Sequence, residues 1–229
     1  MSVWPASDRR TEPSMKEILK KIIKKTPLYR PLKNWAAKRK LAAELAEWEK
    51  NGRPAPPPHL VKQRTLREYS QKYGLNVLVE TGTCYGDMVE ALRRDFNKIY
   101  SIELSDDLYK TCVTRFQGAK NVELIHGDSG RELERIMTRL RQPALFWLDG
   151  HYSAGVTARG DKDTPIYEEL NHILNSEDAG HVIVIDDARC FGTDPAYPGI
   201  EELSKFIKSK RPNVEIAVQN DSIRVTPKR

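Results

Sequence analysis

Cysteine is scarce in this chain. Its 229 residues include three, with no C-x-x-C pair, which excludes a disulfide framework and a cysteine-rich zinc site. Reduced thiols in or near a core are expected instead. Long apolar runs are also missing: none approaches the roughly 20 residues of a membrane span. The first 25 residues lack the apolar block and small-residue cleavage site of a secretory signal. A cytoplasmic protein is therefore expected. No internal repeat recurs at a fixed period, and the one biased stretch is RPAPPP at residues 53–58. What is present is ordinary for a globular chain: 39% hydrophobic and 31% charged residues, which excludes a fibrous or wholly disordered protein. The length supports one sizeable core, alone or with an appendage.

The net charge of +6 is unevenly placed. Residues 1–64 hold 16 of the 38 basic and 6 of the 32 acidic residues, so the remainder carries 22 basic against 26 acidic. The basic character belongs to the front segment. The mildly acidic remainder argues against a nucleic-acid groove in the main domain.

In that front segment, Ser14 and Glu17 have capping-box spacing, and Met15, Ile18, Leu19, Ile22 and Ile23 recur with helical period. Five lysines fill much of the remaining surface, and Pro27 stops the helix. A helix at 14–26 of this kind suits docking on its own domain or on a second subunit, or lying on an anionic membrane surface; a basic arm for nucleic acid ranks third. A second helix is expected from about 32 to 50, ended by Asn51-Gly52. The proline stretch reads as a stiff spacer. Residues 1–58 are therefore a basic helical extension, and the main domain spans 59–229.

From residue 60 the chain alternates. Helical patterns at 60–73, 88–96, 106–116, 131–141, 166–174 and 200–210 interleave with apolar strands at 77–79, 99–103, 122–125, 144–148 and 181–185. Two further strands, 214–219 and 222–226, are joined by the turn signal Asn220-Asp221. Continuous apolar strands alternating with helices mean a parallel sheet covered on both faces. The expectation is an α/β, Rossmann-like, doubly wound sheet of seven strands, mostly parallel, with a C-terminal antiparallel hairpin and preceding N-terminal helices.

Ligands of such sheets bind at the carboxyl ends of the strands. The segments there are Glu80-Thr81-Gly82-Thr83-Cys84-Tyr85-Gly86, then Glu103, then Gly127-Asp128-Ser129, then Asp149-Gly150-His151, then Asp186-Asp187. Acids at five successive strand ends repel one another unless a cation or hydrogen-bond donors neutralise them. The glycines allow close backbone approach. Glu103 is placed to accept from ribose hydroxyls, and Asp128 from an adenine amino group. The G-x-x-x-G turn lacks the G-x-G-x-x-G spacing that seats a pyrophosphate. A nucleoside without phosphates, carrying a cation near Glu80, fits better. A tight βα turn with no ligand is the bland reading of the glycines alone.

Glu80-x-Gly82-x-x-x-Gly86, Glu103, the Gly127-Asp128 pair and the terminal hairpin resemble the class I S-adenosylmethionine-dependent methyltransferases over about residues 60–229. Cys84 stands where the commonest form has a middle glycine, as it does in the metal-dependent catechol and macrocin O-methyltransferase branch. The resemblance implies S-adenosylmethionine as cofactor. Glu80, Gly82 and Gly86 would line its methionine portion, Glu103 would hold the ribose, and Asp128 and Ser129 would flank the adenine. Thr83, Cys84, Tyr85 and Asp149 complete the candidate cofactor contacts.

Asp149, Asp186 and Asp187 lie on neighbouring strand ends and can converge on one hard cation, Mg²⁺ or Mn²⁺. The same pattern is similar to that of the catechol-type enzymes. Capping of their own loops is the alternative for these acids. His151, two residues beyond Asp149, could take a hydroxyl proton as a neutral imidazole, ligate the metal or anchor the loop. His126 reads as structural, and His172 and His181 as surface or packing residues. The polar loop 152–164, with Arg159 and Lys162, reads as a lid or as a solvated loop. Segment 188–199, with Arg189, Phe191 and Tyr197, is the other candidate acceptor wall. The acceptor would be a hydroxyl of a small molecule, with a sugar or glycan favoured over a catechol. The competing readings are a nucleic-acid methyltransferase using the basic arm, a nicotinamide oxidoreductase, and a non-catalytic nucleoside-binding domain.

Overall fold

The computed structural model describes residues 29–149, 164–177 and 179–228. In chain order these form α1 (Tyr29–Lys50), α2 (His59–Tyr73), β1 (Val77–Thr81), α3 (Asp87–Leu92), β2 (Lys98–Glu103), α4 (Asp106–Arg115), β3 (Val122–His126), α5 (Ser129–Arg139), β4 (Leu145–Leu148), α6 (Ile166–Asn175), β5 (Val182–Ile185), a short 3-10 turn (Ala188–Cys190), α7 (Ile200–Lys210), β6 (Val214–Gln219) and β7 (Ser222–Pro227). The chain divides into two compact units, Met1–Lys50 and Asn51–Arg229. The helix expected at 14–26 lies outside the described residues. None of the described helices is long and apolar enough to cross a membrane.

All seven strands join one sheet in the order β3-β2-β1-β4-β5-β7-β6. The first five are parallel, and β7 runs antiparallel to both β5 and β6. The order reverses between β1 and β4, so the crevice for a ligand opens there, at the carboxyl ends. Alternation along the strands separates two cores. Val77, Val79, Tyr100, Ile102, Phe146, Leu148, Ile183 and Ile185 pack with Leu133, Ile136, Leu170, Leu203 and Ile207 of α5, α6 and α7. Leu78, Ile99, Leu145, Trp147, Val182 and Val184 pack with Leu66, Val89, Leu92 and Cys112 of α2, α3 and α4.

That parity fixes where the acids go. Glu80 pairs in register with Ser101 and with Trp147, and Trp147 pairs with Val184. One step further along the same face lie Glu103, Asp149 and Asp186. A single face of the sheet therefore runs from an apolar core under α2–α4 into a row of carboxylates at the crevice.

The chain departs from the expected pattern after β1. A helix at 88–96 was expected; α3 ends at Leu92 and the chain turns, with Asp95 N donating to Leu92 O at 2.8 Å. The side-chain amide of Asn121 donates to the carbonyls of Arg93 and Phe96 at 2.7 and 3.0 Å and holds the turn. Those carbonyls are bonded across sequence, by a contact that helical periodicity cannot register. Phe96 then drops into the core as an anchor of the turn.

Candidate active site

The turn after β1 is tied down on both sides. Gly82 N and Thr83 N donate to Ile102 O at 3.0 and 3.1 Å, so the turn is an extension of the β1–β2 pairing. Gly86 has φ +77°, and a Cβ there would fall 2.5 Å from Cε2 of the buried Phe116 ring, so only glycine lets α3 start against α4. Cys84 also has a positive φ, +51°. Its strain is met by two contacts: Cys84 N donates to Glu103 Oε2 at 2.7 Å, and the Cys112 thiol donates to Cys84 O at 3.2 Å.

Glu103 is the centre of this half. It is buried at the end of β2, and its other oxygen, Oε1, accepts from Ser105 N at 2.8 Å. The carboxylate is thus fixed between the glycine turn and the start of α4, and each oxygen keeps a lone pair for a ligand hydroxyl. Ser105 caps α4 in turn by accepting from Leu108 N.

Glu80, two residues before Gly82, is buried on the same face. Ser101 Oγ donates to its Oε2 at 2.5 Å, and Thr83 Oγ1 lies 2.6 Å from Ser101 Oγ. Burial pushes the Glu80 carboxyl up to about 8; the Ser101 bond opposes this, and the charges of Asp149 and Glu103 reinforce it. Near pH 7 burial therefore favours the protonated form, and a cation placed beside it would favour the carboxylate.

At the end of β3, Asp128 precedes α5 and is half-buried, and its carboxylate makes no capping bond to the helix. The Ser129 hydroxyl donates to buried Glu169 at 2.6 Å and so ties α5 to α6. At Gly130 a Cβ would lie 2.6 Å from Glu168 Oε2 and 3.0 Å from Asp128 Oδ1, so the backbone here runs close to both acids. His126 is exposed and stacks on Tyr109, with ring centroids 4.9 Å apart. Tyr85, at the outer edge of the glycine turn, is 51% exposed, and its carbonyl is held by Arg115.

Across the switch point, Asp149, Asp186 and Asp187 converge: each offers a carboxylate oxygen within 4.8 Å of the others. Asp149 follows β4, with its amide on Thr81, and Asp186 follows β5, its amide donating to Leu148 O at 3.0 Å. Asp187 has φ +55°, which ends strand alternation and turns its carboxylate toward the cluster. Asp186 Oδ1 is buried and is the one buried side-chain oxygen or nitrogen among the described residues that has no hydrogen-bond partner.

Two cations enter this cluster, one from a distant helix and one from the loop that carries Asp187. Lys62, on α2, donates to Asp186 Oδ2 and lies 3.9 Å from Asp187 Oδ1, with its ammonium 5.8 Å from the Trp147 ring centroid. Burial works to lower its pKa, but Asp186 and then Asp149 outweigh that and hold it above its ordinary value. Arg189 Nη1 donates to Asp187 Oδ1 at 2.8 Å and also to Asp221 of the β6–β7 turn. Asn220 and Asp221 both have positive φ, +49° and +59°, the geometry of a two-residue hairpin turn. That turn also receives Ala188 N and Arg189 N, at 2.9 and 2.8 Å, so the hairpin braces the loop that carries Asp187.

The sequence points to the acids but not to Lys62, Ser101 or Asp221 as parts of the site. The signal for Lys62 was its place on α2, four residues before Leu66, which is fully buried. His151, Gly150 and the loop 152–163 lie outside the described residues. Phe191 and Tyr197 pack edge to face, centroids 5.1 Å apart, and with Glu169, Ile166 and Asp186 they line a small pocket beside the cluster.

No protein-family model matches the chain, and no curated protein matches it. Solved structures do. The O-methyltransferase TomG from Streptomyces achromogenes superposes with a TM-score of 0.54 at 18% identity, covering 82% of this chain and 89% of that one. The O-methyltransferase from Bacillus cereus in complex with SAH gives 0.54 at 19%, covering 82% and 90%. MycE, from the mycinamycin biosynthetic pathway and solved with Mg, SAH and mycinamycin VI, gives 0.51 at 17%, covering 81% of this chain and 55% of that one. The chain has the Rossmann-like methyltransferase fold. In that fold the hairpin β6–β7 closes the sheet beside β5, and here it is the element that carries Asp221 to Arg189.

Proposed function

We propose that the chain is an S-adenosylmethionine-dependent O-methyltransferase, assisted by a divalent metal and acting on a hydroxyl of a small molecule or sugar. The observation that carries this reading is the division of one acidic crevice into two differently built halves. One half offers a preset ribose acceptor, Glu103, beside an acid, Glu80, that ionises when a positive charge arrives. The other offers three converging carboxylates with a buried oxygen lacking any partner.

The cofactor's fit follows from the residues. A ribose diol suits the remaining lone pairs of Glu103, and Asp128, unused in capping its helix, is free to accept from an adenine amino group. A sulfonium or α-ammonium near Glu80 would relieve the crowding of Glu80, Glu103 and Asp149. A metal fits as well: a hard cation takes carboxylate oxygens, and Asp149, Asp186 and Asp187 would hold it, with Asp186 Oδ1 available as a ligand. When bound, it would supply the Lewis acidity that lowers a coordinated hydroxyl's pKa.

The chain's own residues do the rest. In the transfer, an acceptor oxygen forms a bond to the methyl carbon as the carbon–sulfur bond breaks, and the sulfonium becomes a neutral thioether. Charge is lost at sulfur, so burial helps the step, and the protein's tasks are alignment and removal of the hydroxyl proton. His151, two residues beyond Asp149, is the proposed proton acceptor. Phe191 and Tyr197 would form the acceptor's wall. The polar sequence of the 152–164 loop favours a sugar-like acceptor over a catechol.

Calorimetry with S-adenosylmethionine and with NAD⁺ tests the cofactor reading. Binding of the first and not the second is expected, and Glu103→Gln should weaken it by about 10- to 100-fold, since a charged acceptor of two ribose hydroxyls is lost. Equal affinity of Glu103→Gln and wild type would remove Glu103 from the site. The basic segment 14–26 is proposed to bring the enzyme to an anionic membrane face bearing its acceptor. Co-sedimentation with anionic vesicles is then expected to fall several-fold when residues 1–26 are deleted, and no change would leave that segment without this role.

A further inference from the structure

We propose that Lys62 is a built-in occupant of the acidic cluster, a tethered monovalent cation that a divalent ion must displace. This rests on the metal reading of Asp149, Asp186 and Asp187 and adds to it a residue from a distant helix.

Three observations place Lys62 there. Its ammonium bonds Asp186 Oδ2 and lies 3.9 Å from Asp187 Oδ1, so it draws on two of the three carboxylates that face each other within 4.8 Å. Its side chain is 18% exposed and the Asp186 side chain 1% exposed, so water does little to screen either group. The helix that carries it is fixed: Leu66 is fully buried in the sheet core, and buried Arg224 of β7 bonds Gln219 at 2.6 Å, reaches Thr65 Oγ1 at 3.4 Å and stacks on Tyr69. Lys62 therefore meets the cluster because α2 is docked, and not through a chance surface pairing.

The consequence follows from charge. Without a metal, Lys62 offsets the cost of burying Asp186. With a metal, a second positive charge would lie a few ångströms away on the same cluster of carboxylates, and the two cations would repel each other. The ammonium is a point charge on a flexible four-carbon stem, so it can leave without moving α2. The price is a lower apparent affinity for the divalent ion.

The test uses the full chain, stripped with EDTA, and titration with Mn²⁺ followed by calorimetry and by the loss of the free-ion spin-resonance signal. Lys62→Met keeps the stem against Trp147 and removes the charge, and is expected to bind Mn²⁺ at least about tenfold more tightly, which is about 1.4 kcal/mol. Lys62→Arg keeps the charge and should bind no more tightly than wild type. Lys62→Gln repeats the comparison if Met at this position leaves the protein unfolded. If wild type binds Mn²⁺ and the neutral variants bind it equally or more weakly, the competition is overturned and the metal reading stands. If no form of the protein binds Mn²⁺, both fall together.

Discussion

Asp186→Asn and Asp187→Asn are each expected to lower metal-dependent methyl transfer by at least about a hundredfold while changing S-adenosylmethionine affinity by less than about threefold. The split follows from the layout of the crevice. Glu103 and the glycine turn are held by hydrogen bonds among Cys84, Ser105 and Ile102 that do not involve Asp186 or Asp187. The acid cluster is held instead by Lys62, Arg189 and Asp221. Replacing one acid by its amide removes a charged oxygen ligand and leaves the other half intact. Asp186→Asn also leaves Lys62 without its main partner, so the variant should melt at a lower temperature. Calorimetry with the cofactor therefore accompanies the activity assay and reports whether the fold persists. Unchanged turnover in both variants, with added Mg²⁺ or with EDTA, would end the metal proposal.

The second large effect concerns pH. The Glu80 carboxyl is raised from its ordinary value of 4.5 to about 8 by burial, so the folded protein holds a proton that the unfolded chain releases. For an acid shifted upward, the stability it contributes is fully present below about pH 4.5 and is lost as pH rises through about 8. Over that window the loss amounts to a few kcal/mol. Glu80→Gln, a neutral group of the same shape, should flatten this part of the profile, so that urea midpoints of wild type and variant diverge steadily between pH 5 and pH 8. Saturating S-adenosylmethionine should flatten the wild-type profile as well, because its positive charge favours the carboxylate. Parallel profiles for wild type and variant would show that Glu80 ionises normally.

Much of this site can be read from sequence, because strand periodicity is strict. The acids at 80, 103, 149 and 186 stand at strand ends with the same parity, and parity alone sends them to one face. The hairpin was legible for a similar reason, since Asn220 and Asp221 both tolerate the left-handed backbone that a two-residue turn demands. What stayed hidden depends on distance in sequence. Asp186 and Lys62 are 124 positions apart, and no local pattern separates a lysine that faces solvent from one that reaches a buried acid. Asp221 reads as a turn residue, and its bond to Arg189 follows only from the antiparallel placement of β7 beside β5. Ser129 makes another such bond: its hydroxyl donates to Glu169, 40 positions away, where α6 packs on α5.

The tethering of Glu103 has a thermodynamic corollary. A pocket whose key carboxylate already braces two stretches of main chain loses little freedom when a guest arrives, so most of the attraction between guest and pocket survives as affinity. Heat-capacity and entropy changes on nucleoside capture should then resemble those of a rigid host, and loops elsewhere on the rim remain at liberty to diversify toward new alcohols without disturbing that hold.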